Sequence, residues 1–73
     1  MNMDEPKRRP RIGEMIVYRV FGGEYRACRI TEVCDDVKNG WPGFDGMTPE
    51  GMSVWGYDDQ IVDDPRIREV MIA

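Results

Sequence analysis

The Gly22-Gly23 pair separates two runs of residues that favour β-strands. β-Branched and aromatic residues alternate over positions 14–21, and a similar run extends over positions 25–34. Two successive glycines tolerate the positive φ angles of a tight reversal, so the second strand should return antiparallel beside the first. The sequence therefore predicts a β-hairpin as the first unit of the fold.

The second strand of this hairpin does not keep a single alternation. Cys28 and Ile30 belong to one face of the strand, whereas Val33 belongs to the other. A bulge near Thr31-Glu32 would reconcile them, because one extra residue moves the following side chains to the opposite face. Cys34 lies six positions after Cys28 in the same strand, roughly 20 Å away and beyond the reach of a disulfide. We therefore expect two reduced thiols.

The segment 35–50 predicts a long loop, because it holds three glycines, two prolines and an Asn-Gly pair. Trp41 and Phe44 are unusual residues for a loop. They either fold back as a lid over the end of the domain or stand exposed as a contact patch of the kind that marks interfaces.

The last third of the chain predicts short elements. Alternation indicates a third strand over residues 51–57, followed by a turn at Asp58-Asp59 and a short fourth strand over residues 60–62. The tail 66–73 allows two interpretations. Its β-branched residues favour a closing strand, whereas Asp64-Pro65 is a typical helix start, with an N-cap residue followed by proline.

The length of 73 residues allows one domain with a thin core. A chain of this size buries only about 60% of the surface that its unfolded form exposes, which leaves no room for a deep substrate cavity. Histidine is absent and serine occurs once, so nucleophile–base pairs and histidine-built metal sites cannot be assembled. The three Asp-Asp pairs lack the spacing of a calcium loop. We therefore expect a protein that is not an enzyme and has no metal or cofactor.

The hydrophobic pattern of the sequence indicates where in the cell the protein is expected. The longest apolar run has three residues, Met15 to Val17, against the roughly 20 that a membrane helix needs. No signal-type hydrophobic stretch follows the basic N-terminus. We therefore expect a cytoplasmic protein.

Charge divides the chain into a basic start and an acidic middle. Residues 1–11 hold four basic and two acidic side chains, whereas residues 35–65 hold eight acidic side chains and one lysine. We predict a mobile basic arm over residues 1–10 and a barrel over residues 11–73. The arm has three possible roles: nucleic-acid binding through counterion release, docking on an acidic surface of a protein or of the molecule itself, or a solvated tail. Its candidate nucleic-acid contacts are Lys7, Arg8, Arg9 and Arg11.

Residues 23–33 and 53–59, together with residues 12–18, resemble the strands of Tudor-type and KOW-type barrels. In those barrels a glycine turn precedes an aromatic residue and an Arg-Ala pair, and a later strand ends in an aromatic residue and an acidic turn. The predicted fold is therefore all-β, an SH3-like small barrel of four or five strands with a long loop over residues 35–50. A similar sequence pattern occurs in uncharacterised small proteins of actinobacteria and their phages, and this resemblance implies an accessory role.

The Tudor resemblance implies that an aromatic cage captures the ligand. Methylated lysine or arginine would be held there by cation–π attraction, with Asp58 on the anionic side. The cage walls implied are Tyr18, Tyr25, Trp55 and Tyr57. A thin core also needs aromatic rings to fill space, so structural packing remains the other interpretation of the same residues.

These observations predict a non-catalytic module that binds a protein or peptide through an aromatic and acidic face. The candidate contacts are Tyr18, Tyr25, Trp41, Phe44, Trp55, Tyr57 and Asp58. The alternative is a nucleic-acid-associated protein that uses the basic arm. Deleting the arm and titrating a duplex at two salt concentrations would separate these hypotheses.

Overall fold

A computed structural model describes residues 9–72 of the chain. Within that range, five strands form one antiparallel sheet in the order β4-β3-β2-β1-β5. In chain order the elements are β1 (Met15–Arg19), β2 (Tyr25–Lys38), β3 (Trp41–Met47), β4 (Ser53–Tyr57), a 3₁₀ turn (Asp58–Gln60), β5 (Ile61–Val62) and a helix, α1 (Pro65–Ile72). This architecture confirms the predicted all-β class and is consistent with a small barrel-like fold.

The Gly22-Gly23 pair forms the turn of the β1–β2 hairpin, as predicted. Strand pairing runs from Met15 opposite Arg29 to Arg19 opposite Tyr25. The turn closes with a 2.8 Å hydrogen bond from the Gly23 N–H to the carbonyl of Val20. Gly23 has a φ of +92°, which a residue with a side chain would adopt only with strain.

The sheet continues through most of the segment that was predicted as a long loop over residues 35–50. β2 extends to Lys38, and β3 begins at Trp41. The prediction of the loop is wrong because Asn39-Gly40, with φ angles of 58° and 78°, makes a tight reversal between two paired strands. The pairing of β2 with β3 shifts between Ile30 and Glu32, which confirms the predicted bulge.

Two glycines of that segment are strand residues whose missing side chains allow close packing. A Cβ at Gly43 would lie 2.2 Å from the carbonyl oxygen of Gly56. A Cβ at Gly46 would lie 2.7 Å from the Sγ atom of Cys28. Two of the three glycines that indicated a loop therefore reflect close packing in the sheet.

The third and fourth predicted strands correspond to β4 and β5, and β5 pairs with β1. The closing strand favoured for the tail is wrong, because residues 65–72 form α1. The reason is the helix start that the sequence also contains. The Asp64 carboxylate accepts a 3.0 Å hydrogen bond from the N–H of Arg66, and Pro65 occupies the first helical position.

The core is formed by side chains from all five strands. Tyr18 and Phe44 are its largest side chains, with ring centroids 5.4 Å apart in an edge-to-face arrangement. The cluster consists of Ile16, Tyr18, Cys28, Ile30, Phe44, Val54 and Ile61. Cys28 and Cys34 are both free thiols, as predicted.

Trp41 and Phe44 do not act as a pair. Both alternatives considered for them, a lid and a contact patch, assumed a loop, whereas both residues lie in β3. Phe44 is fully buried and Trp41 is 60% exposed. Successive side chains of a strand alternate between the two faces of the sheet, and these two residues are three positions apart, so their side chains lie on opposite faces.

Candidate functional site

Two of the predicted contact residues are part of the core. Tyr18 and Phe44 are buried and contact each other, so almost none of the surface of either ring is open to a partner. Burial raises the pKa of the Tyr18 hydroxyl, and Arg26 donates a 3.4 Å hydrogen bond to that hydroxyl. Tyr18 therefore has its polar partner within the chain.

The structure does not bring the implied cage together. Tyr25 lies beside α1, where it lines a groove with Ile67 and Val70. Trp55 and Tyr57 lie on β4, with ring centroids 5.4 Å apart. Of the four implied walls, only these two rings contact each other and are accessible.

A different set of rings forms a continuous surface, which we call the aromatic patch. Phe21 packs edge-on against Tyr57 at 6.2 Å between ring centroids, and Tyr57 packs against Trp55. Trp41 lines a cleft of about 210 Å³ together with Tyr57, Asn39 and Asp59. The aromatic patch comprises Phe21, Trp41, Trp55 and Tyr57.

Strand alternation and turn position explain why these rings share one surface. Trp55 and Tyr57 are two residues apart in β4, so their side chains lie on the same face. Phe21 comes from the β1–β2 turn and was not among the predicted contacts. The sequence could have indicated this residue, because it is a large aromatic residue directly before two glycines. The strand ends there, so neither face of the sheet covers the ring.

Charged groups border the aromatic patch on two sides. The Nζ atom of Lys38 lies 5.3 Å from the centroid of the Trp55 ring, which is cation–π geometry. Asp59 lines the cleft beside Trp41, and Asp45 is the strand partner of Trp55. Such a surface can hold a cation against a ring face while a nearby carboxylate balances its charge.

Asp58, the predicted anionic residue of the cage, has a different role. Its side chain is 6% exposed and forms an ion pair with the Nε atom of Arg9. Burial raises the pKa of the Asp58 carboxyl, and the positive charge of Arg9 partly offsets this increase. The carboxylate that borders the aromatic patch is therefore that of Asp59.

The arm can be followed from Arg9 onward. Arg9, one residue of the predicted arm, forms ion pairs with Asp35 and Asp58 on the body of the molecule, whereas docking of the arm as a whole stays a prediction. Arg11 is exposed, and its backbone N–H donates to the Glu14 carboxylate. Lys7 and Arg8 lie outside the described residues. Nucleic-acid binding by the arm stays a prediction.

A second groove, of about 290 Å³, lies between β4 and the β1–β2 hairpin. Phe21 and Trp55 of the aromatic patch line this groove together with Tyr18 and Arg26. Because Arg26 is cationic, it opposes the entry of a methylated lysine into this groove. The cleft lined by Trp41, Tyr57 and Asp59 is therefore the better candidate for cation binding.

No protein-family model, curated protein or solved structure matches the chain. The resemblance to Tudor-type and KOW-type barrels stays a prediction. Across residues 9–72 no helix has the length and apolar character needed to cross a membrane, and no three His, Cys, Asp or Glu residues are grouped as metal ligands.

Proposed function

We propose that this protein is a non-catalytic binding module that recognises a lysine- or arginine-bearing segment of a protein partner through the aromatic patch. The observation that carries the proposal is the position of Lys38 over Trp55. The chain's own ammonium group occupies a ring face in the manner expected of a partner's cation.

The exposure of the rings supports the proposal. Phe21 is 80% exposed, and Trp41 and Trp55 also remain accessible. Contiguous exposed aromatic residues are typical of interaction sites, and Trp and Tyr are enriched among the residues that contribute most to binding energy. Each exposed cation–π contact contributes about 0.5–1 kcal/mol, so several contacts are needed for useful affinity.

The carboxylates indicate the charge of the partner. The cleft between Trp41 and Tyr57 has Asp59 at its border, and the formal net charge of the chain is −4. A basic segment is attracted to this surface, whereas an acidic segment is repelled. Lys38 lies over the Trp55 ring, and we assign the partner's cation to the cleft lined by Trp41, Tyr57 and Asp59.

The non-catalytic part of the proposal rests on the absence of histidine from the sequence and on the protonation state of Cys28. The sequence contains no histidine. Burial raises the pKa of the Cys28 thiol to about 11, so this group stays protonated at neutral pH. A protonated, buried thiol is a poor nucleophile, which supports binding over catalysis.

Fluorescence anisotropy with three labelled Gly-Ser peptides tests the proposal. The first carries three arginines, the second three lysines and the third three glutamates. We expect the two basic peptides to bind and the acidic one not to bind. Trp41→Ala and Asp59→Asn should each weaken binding of the basic peptides about fivefold.

A matched pair of tyrosines provides the control. Tyr57→Ala should weaken binding, whereas Tyr25→Ala, which removes an exposed tyrosine outside the aromatic patch, should leave it unchanged. Equal affinity for all three peptides, or equal losses for Tyr57→Ala and Tyr25→Ala in folded proteins, would contradict the proposal.

A further inference from the structure

Asp58 is a buried carboxylate whose charge is balanced from the start of the chain. Its side chain is 6% exposed, and neither of its oxygens has a hydrogen-bond partner within residues 9–72. The Nε atom of Arg9 lies close to one oxygen, as an ion pair that is not aligned as a hydrogen bond. A buried, ionised carboxylate left without a cation is strongly unfavourable, so this position favours a positive charge wherever Asp58 is ionised.

The groups around Arg9 match a guanidinium. Nη1 donates to the Asp35 carboxylate at 3.0 Å, and Nη2 donates to the Cys34 carbonyl at 2.9 Å, while Nε faces Asp58. The planar fork of a guanidinium directs its two terminal nitrogens to two separate acceptors while Nε lies against the Asp58 carboxylate, which the single ammonium of a lysine cannot do. We call Asp35, Asp58 and the Cys34 carbonyl the guanidinium site.

The position of Arg9 makes it replaceable. The residue precedes β1, so no strand pairing holds it in the sheet. Its side chain is 43% exposed, and Asp35 is 99% exposed, so water and salt weaken that outer contact. The ionised, buried Asp58, in contrast, is stabilised by a cation whichever chain supplies it.

We propose that the guanidinium site is an arginine-binding site that the chain's own Arg9 occupies, and that an arginine of a protein partner can replace Arg9 there. The two hydrogen bonds and the ion pair together select arginine over lysine. The site shares no residue with the aromatic patch, so the proposal does not depend on the function proposed for that surface.

Emptying the site tests the proposal. In the variant Arg9→Ala, N-acetyl-arginine amide should cause saturable shifts of the Asp35 and Asp58 backbone amides in NMR spectra. N-acetyl-lysine amide should bind about tenfold more weakly, because it lacks the planar fork. Adding Asp58→Asn to Arg9→Ala should abolish the saturable shifts.

Two proteins that retain Arg9 serve as controls. In the unmodified chain and in Arg11→Ala, the tethered Arg9 competes at an effective concentration in the millimolar range, so the same probe should bind much more weakly. Replacing Trp41 by alanine in the Arg9→Ala chain should leave arginine binding unchanged, which separates this proposal from that for the aromatic patch.

Three results would overturn the proposal. The first is a folded Arg9→Ala chain without saturable shifts, and the second is equal binding of the arginine and lysine probes. The third is a failure to fold of both Arg9→Ala and Arg9→Gln, which would assign Arg9 to a permanent structural role.

Discussion

Phe44 and Gly56 lie opposite each other in β3 and β4, and the Phe44 ring occupies the space that a side chain at position 56 would need. A Cβ at Gly56 would lie 2.8 Å from the Cζ atom of Phe44. Because Phe44 is fully buried, its ring cannot move aside without disturbing the packed core. The glycine is therefore required by packing.

The first prediction concerns this contact. Gly56→Ala should lower the free energy of unfolding by about 1–3 kcal/mol, because the added methyl group overpacks the core. Urea denaturation measures the change. Gly22→Ala is the control, since a Cβ there meets no atom within 4 Å, and its effect should stay within about 0.5 kcal/mol. Equal effects of the two substitutions would contradict the packing argument.

The second prediction contrasts the two large aromatic residues of β3. Phe44→Ala should lower the free energy of unfolding by about 3–5 kcal/mol, because it leaves a cavity beside Tyr18. Trp41→Ala removes an exposed ring, so it should change the free energy of unfolding by about 0.5 kcal/mol or less. Thermal and urea denaturation of both variants test the contrast, and a large loss for Trp41→Ala would place that ring in the core.

The third prediction concerns pH. Burial raises the pKa of the Asp58 carboxyl above the ordinary value of 3.8, and Arg9 opposes this increase only in part. The folded chain therefore binds the Asp58 proton more tightly than the unfolded chain does. Relative to Asp58→Asn, the unmodified chain should be most stable below pH 3.8 and should lose this advantage as the pH rises through the folded pKa.

Urea denaturation of both proteins at a series of pH values measures this difference. Arg9→Ala provides an independent check, because removing the guanidinium should raise the pKa of Asp58 further, as followed by NMR titration. A difference in stability that grows with rising pH would show that the pKa of Asp58 is lowered in the folded chain.

The fourth prediction concerns the thiols. Cys28 is fully buried, and burial raises its pKa to about 11. The pKa of Cys34 is also raised, by desolvation first and then by the negative charge of Asp45, but its side chain is partly accessible. Iodoacetamide at pH 8 should therefore modify Cys34 slowly and Cys28 only when the chain unfolds. Mass spectrometry over time, with and without urea, distinguishes the two sites.

The prediction of a loop over residues 35–50 was wrong for a physical reason, which concerns the glycines of that segment. Glycine permits a turn, but it also permits close approach of neighbouring strands, and the sequence does not say which applies. Gly40 serves the turn, with a φ of +78°, whereas Gly43 serves the packing. Whether a glycine serves a turn or close packing depends on which strand lies beside it in the folded sheet.

The candidate site was predictable in part. Trp41, Trp55 and Tyr57 were among the predicted contacts and lie together in the aromatic patch. The sequence could not show that Tyr18, unlike these three residues, is buried in the core. Its burial depends on Phe44, which lies 26 positions later in the chain. The role of Asp58 also depends on a distant residue, Arg9.

The local features of the fold were determined by the sequence alone. The hairpin at Gly22-Gly23, the bulge near Thr31-Glu32 and the all-β class follow from backbone preferences and side-chain alternation, which act between near neighbours. The tertiary structure decided which rings are buried, which carboxylate meets Arg9 and which surface the rings share. Those outcomes depend on contacts between residues far apart in the chain, which no local pattern encodes.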